Sequence, residues 1–76
     1  MPKVKEFRGV IYSKFDSESE FARAMNWNKQ RLNRITNGLK QPDLGEIDEM
    51  AATLGVKMEE LIAIFLAYKS TIARQN

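Results

Sequence analysis

Apolar residues recur at spacings of three and four along the chain, and no stretch alternates strictly over strand length, so the pattern predicts an all-α protein. Phe7, Val10, Ile11 and Phe15 make a first stripe and set helix 1 at roughly Lys3 to Lys14. Ser17 and Glu20 stand at capping-box spacing, where hydroxyl and carboxylate each satisfy a free amide of the first turn, and they start helix 2. Its buried face is Phe21, Ala22 and Met25, and it stops near Asn26, a residue type that tolerates left-handed backbone.

Asn28 caps helix 3, which runs from about Lys29 to Asn37 and ends at Gly38. Only about three residues separate helices 2 and 3, so they cross sharply, as in a helix-turn-helix. On helix 3, Leu32 and Ile35 define one face, while Gln30, Asn33, Arg34 and Asn37 gather on the other. A loop from Gly38 to Pro42 follows. Asp43 and Glu46 repeat the capping spacing for helix 4, whose apolar positions are Leu44, Ile47, Met50, Ala51 and Leu54, with Gly55 as the stop. Helix 5 starts near Lys57 and carries Met58, Leu61, Ile62, Ile64, Phe65, Leu66, Tyr68 and Ile72, spread over about 200° of the wheel.

At 76 residues the chain holds one domain, 1–76, with the turn motif at 17–38 and helix 5 from about 57. The sequence has no Cys and no His, which removes thiolate nucleophiles, the commonest metal ligand and the neutral-pH acid–base group. No Ser, Lys or carboxylate set has triad-like spacing, so neither an enzyme, a metal nor a cofactor is expected. Asp43, Glu46, Asp48 and Glu49 resemble a carboxylate cluster, but the first two are caps and the others a solvated face. The longest apolar run, Leu61 to Ala67, falls far short of the roughly twenty residues a membrane span needs. No signal-peptide segment is seen, and a cytoplasmic protein that does not enter membranes is expected.

Net charge is only +2, yet it is unevenly spread. Residues 21–42 carry Arg23, Lys29, Arg31, Arg34 and Lys40 with no acid, and residues 43–60 reverse the sign with Asp43, Glu46, Asp48, Glu49, Glu59 and Glu60 against Lys57. A basic middle is the local footprint of a polyanion binder. Lys29, Gln30, Asn33 and Arg34 are also the side-chain types that read base edges, Arg and Lys suiting guanine, Asn and Gln suiting adenine. Periodicity alone does not separate such a face from an ordinary solvated one.

Residues 17–38, SESEFARAMNWNKQRLNRITNG, resemble the helix-turn-helix core of the phage-repressor and Cro-like family, with Ala22 at the small packing position, Asn26-Trp27 at the turn, Asn28 as cap and Asn37-Gly38 as the terminal pair. Pro42-Asp43, Leu44, Ile47, Ala51, Leu54-Gly55-Val56 and the stretch from Met58 to Leu61 are similar to the family's later helices, extending the likeness over about residues 7 to 66. The resemblance implies a five-helix, lambda-repressor-like DNA-binding domain and a small phage- or prophage-type regulator of transcription, more readily a repressor. Its base contacts fall on Lys29 and Gln30, with Asn33 and Arg34 further along. Phosphate contacts map to Ser17, Ser19, Asn37 and Lys40, with Arg31 on the flank.

Three departures from the family pattern involve four positions. Glu18 stands where Gln is common and would repel a phosphate. Ile11 and Thr36 hold the places of an Arg–Glu pair, predicting apolar packing there. Trp27 replaces a smaller aliphatic residue and suits a core plug between helices 2, 3 and 4 better than an exposed stacking platform. The wide apolar arc of helix 5 exceeds what a surface helix needs, which predicts a homodimer through Ile62, Phe65 and Leu66, the alternative being packing against helix 1. A two-fold dimer matches the two half-sites of a pseudo-palindromic operator on double-stranded DNA. The rival reading is a protein-interaction module on the same fold that binds a protein regulator, such as an antirepressor, with weak or no DNA binding; Glu18 and the modest charge favour it.

Overall fold

Five apolar stripes have to be buried against one another, and a computed structural model shows how. It describes the backbone of residues 4–75 and the side chains of residues 4–69. The described residues form five helices and no strand: α1 (Lys5–Lys14), α2 (Glu18–Ala24), α3 (Lys29–Thr36), α4 (Leu44–Leu54) and α5 (Met58–Gln75). Lys3, the expected start of helix 1, and the side chain of Ile72 lie outside the described residues.

α1 is the hub, packing against each of the other four helices. Phe7 and Ile11 on its inner face are fully buried, as are Phe21 of α2, Leu32 and Ile35 of α3, and Met50, Leu54 and Leu61 further on. Each such side chain contributes about 1.5–3 kcal/mol relative to exposure. Phe7 meets Phe21 edge-on at 6.4 Å and Phe65 at 4.9 Å, so aromatic rings join α1, α2 and α5 at the centre. The expected core of α1 to α4 is therefore present, with three exceptions, of which Val10 is half-buried. Leu44 is the first residue of α4, turns outward and is 68 % exposed. Phe15 closes α1 and is only half-buried, against Phe21.

The helix starts follow the capping chemistry. Asn28 accepts the Arg31 amide at 2.8 Å, and Asp43 with Glu46 forms a complete capping box. At α2 the expected box is split: Ser17 Oγ accepts the Glu20 amide, but the Glu20 carboxylate takes the amide of Asp16 rather than that of Ser17.

α2, α3 and α4 end in the same way. A left-handed residue (Asn26, Gly38 and Gly55, φ 60, 75 and 71°) lets the next amide turn back to a carbonyl in the last turn. These bonds run from Trp27 to Ala22 at 2.9 Å, from Leu39 to Arg34 at 2.8 Å and from Val56 to Ala51 at 3.1 Å. The glycine ends differ in their surroundings: a Cβ on Gly38 would strike the ring of Tyr68, whereas one on Gly55 would meet open space.

That difference yields an expected outcome. Gly55→Ala should cost about 1–2 kcal/mol, the penalty for a side chain in left-handed backbone. Gly38→Ala adds the collision with Tyr68 and should cost more, measured as the difference in urea midpoint at constant m-value; equal losses would show that Tyr68 moves aside freely.

Candidate nucleic-acid interface

The turn between α2 and α3 decides which side of α3 faces outward. Asn26 in the left-handed region and Trp27, 7 % exposed, pin the turn to the core, so Leu32, Ile35 and Thr36 point inward. What remains on the outside of α3 is basic or amide: Lys29, Gln30, Arg31 and Arg34 are exposed, and Asn33 is half-buried beside them. The Arg34 carbonyl accepts the amides of both Leu39 and Lys40, which folds the following loop against the helix and brings Lys40 to the same side. A polar groove of about 350 Å³ is thereby lined by Asn28, Gln30, Arg31, Arg34 and Lys40. Asn37 is half-buried at the C-cap of α3, and Ser17 and Ser19 are half-buried at the start of α2. Lys29 is exposed in the first turn but does not line the groove.

Two of these cations share a partner in α4. Glu46 is 4 % exposed. Its Oε2 receives Arg31 Nε at 3.1 Å, Arg31 Nη2 at 3.0 Å and Lys40 Nζ at 3.0 Å, while its Oε1 accepts the Asp43 amide. Burial alone would push this carboxyl up; the Asp43 amide, Lys40 and Arg31 outweigh it and hold the pKa below the ordinary glutamate value. Arg31 also lies over the Trp27 ring, 3.9 Å from its centroid. The indole Nε1 in turn donates to Glu49 at 2.6 Å. Trp27 is thus a core plug and not an exposed platform, but its upper face carries one of the protein's own cations. Glu46 and Glu49 are correspondingly more than a cap and a solvated acid. Of their partners, Arg31 lies 15 residues from Glu46 and Trp27 lies 22 from Glu49, beyond any local spacing pattern.

Glu18 does not act as a bare charge at the start of α2. Its carboxylate accepts from Arg8 Nε at 3.1 Å, Tyr12 Oη at 3.4 Å and Thr36 Oγ1 at 2.8 Å. Ile11 is buried in apolar contact as expected, but Thr36 corrects the expectation of purely apolar replacement, because its buried hydroxyl joins a polar network of α1, α2 and α3. Among the described residues no buried side-chain nitrogen or oxygen lacks a partner.

On α5, Phe65 is buried against Phe7 and belongs to the protomer's core, so it has no surface to offer a second copy. Part of the wide apolar arc is covered by α1, as the alternative reading had it. Leu66 remains 55 % exposed, with Ile62 half-buried.

Helices α2 and α3 joined at a tight turn, with the outer face of α3 carrying only basic and amide groups, define a helix-turn-helix domain. A family model described as Helix-turn-helix matches residues 16–61, more than half of the chain. The chain belongs to this family, of the Cro- and phage-repressor-like type, a family of DNA-binding regulators of transcription. Comparison with curated proteins and comparison with solved structures each gave no match. Among the described residues, no helix is long and apolar enough to cross a membrane, and no His, Cys, Asp or Glu group is arranged to hold a metal ion.

The Glu46 site generates a pH prediction. Its folded-state pKa lies below the unfolded one, so the unfolded chain binds more protons in the interval between them. The stabilisation is complete above about 4.5, the ordinary value, and is lost as the pH falls through the folded-state pKa. Carboxyl-carbon NMR should show Glu46 titrating below 4.5; a midpoint at or above that value would contradict the ion-pair arrangement.

Proposed function

We propose that the protein binds duplex DNA sequence-specifically, with α3 in the major groove, and regulates transcription as a small phage- or prophage-type repressor. The observation that carries this reading is the outer face of α3, where every exposed residue is a base or an amide. Lys29, Gln30, Asn33 and Arg34 read base edges. Ser17, Ser19, Arg31, Asn37 and Lys40 meet phosphates and fix the docking, since helix N-termini and basic side chains position while groove contacts specify. Two copies pair through Leu66 and Ile62 of α5 and occupy the halves of a pseudo-palindromic operator. Occupancy by so small a domain is enough to block polymerase.

The rival reading, a module that binds a protein regulator on the same fold, drew on Glu18. With that carboxylate bonded to Arg8, Tyr12 and Thr36, its charge is compensated within the protein and no longer favours the rival.

Fluorescence anisotropy of a labelled duplex at several salt concentrations tests the reading. The logarithm of the affinity should fall linearly with log salt, at a slope corresponding to roughly four to eight phosphates; no binding by the folded protein at low salt would overturn it in favour of the rival. Lys29→Ala and Arg34→Ala should each cost about 1–3 kcal/mol of specific affinity and relax sequence preference, while Lys40→Ala weakens all sequences alike. Leu66→Glu should sediment as a monomer where the wild type is a dimer; an unchanged mass distribution would remove α5 as the interface.

A further inference from the structure

The cluster centred on Glu46 exceeds what a helix cap requires. Capping occupies Oε1 and the Asp43 amide; the other oxygen gathers Arg31 and Lys40 at one point on the edge of the groove. Arg31 Nη2 and Lys40 Nζ each sit 3.0 Å from that oxygen, so the two nitrogens lie within about 6 Å of each other, close enough for one phosphate to take a bond from both.

Both side chains remain open on their outer sides, at 43 % and 40 % exposure, and each carries more N–H groups than its bonds to Glu46 use. The carboxylate itself is buried beneath them, so an incoming anion meets the cations first. Two cations on one carboxylate leave a net positive charge at the groove.

We propose that the groove beside α3 seats one phosphodiester of the DNA backbone, with Arg31 and Lys40 donating to it together and with Glu46 and Trp27 as the positioning residues that hold these cations in place. This rests on the duplex-DNA reading above. The physical advantage is entropic: long basic side chains ordinarily lose their rotamer freedom on binding, and here most of that freedom is already lost in the free protein. Trp27 supports the guanidinium carbon at 3.9 Å from its ring centroid, Glu46 holds the guanidinium nitrogens, and Glu49 holds Trp27 through the indole N–H. Gln30 and Arg34, which line the same groove, lie beside the seat on the base-reading side of α3. The seat would therefore set the depth and register of the helix in the major groove.

A carboxylate beside DNA ordinarily repels it, so removing one should strengthen binding. The positioning role predicts the reverse, and that opposition makes the test decisive. Duplex affinity is measured by anisotropy for the wild type and for the E46Q, R31A, R31K and E46Q/R31A variants, each checked for folding by circular dichroism. Gln can still complete the capping box with Asp43.

E46Q should bind about fivefold more weakly despite its more positive charge, as expected for lost charge-assisted hydrogen bonds. That loss should shrink in the R31A background to the share Glu46 exerts through Lys40, because the rest acts through Arg31; a merely structural role would weaken binding equally in both backgrounds. R31K keeps the charge but loses the planar fork and the stacking on Trp27, and should also weaken binding by about fivefold.

Affinity of E46Q equal to or above wild type, or an undiminished loss on R31A, overturns the positioning role while leaving DNA binding standing. Should E46Q fail to fold, R31K decides alone, and unchanged affinity overturns the role. A wild-type protein that binds no duplex overturns both readings.

Discussion

The left-handed turn at Asn26 is the constraint on which the rest of the molecule depends. With its backbone at φ 60°, the chain reverses after α2, the Trp27 amide returns to the Ala22 carbonyl, and the indole drops into the core. The direction of α3 is fixed by that single reversal, and with it the sorting of its residues into Leu32, Ile35 and Thr36 inward and the basic and amide groups outward. A β-branched residue at position 26 would resist this backbone and leave α3 without a defined orientation.

α4 supports α3 chemically as well as sterically. Its buried face supplies Met50, Ala51 and Leu54 to the core, while Glu46 and Glu49 reach across to Arg31 and Trp27. The acid-rich segment that follows the basic one is thus folded back onto it in part. The same principle operates at the other end of α3, where Glu18 compensates Arg8 and anchors Thr36. Partly exposed pairs of this kind add only about 1 kcal/mol or less apiece, so their greater effect is on where side chains point.

How much of this was legible in the sequence depended on range. Caps at Asn28 and Asp43 and stops at Asn26, Gly38 and Gly55 act over three or four residues, and each stands where the spacing put it. The outward face of α3 followed from periodicity. The roles of Glu18, Glu46 and Glu49 did not, because Thr36, Arg31 and Trp27 are brought to them by tertiary folding. Leu44 fitted the apolar stripe of helix 4, but as the first residue of α4 it points outward while Glu46 and Ile47 are buried. The width of the apolar arc on helix 5 registered that something covers it, not what: Phe65 faces α1, and only Leu66 and its neighbours are left over.

Trp27 is the only tryptophan in the chain, and it sits where α2, α3 and α4 meet, with a guanidinium on one face and a carboxylate on its N–H. Its ultraviolet emission is therefore a native optical reporter, with no label required, of the place where the protein's interior touches its charged outer surface.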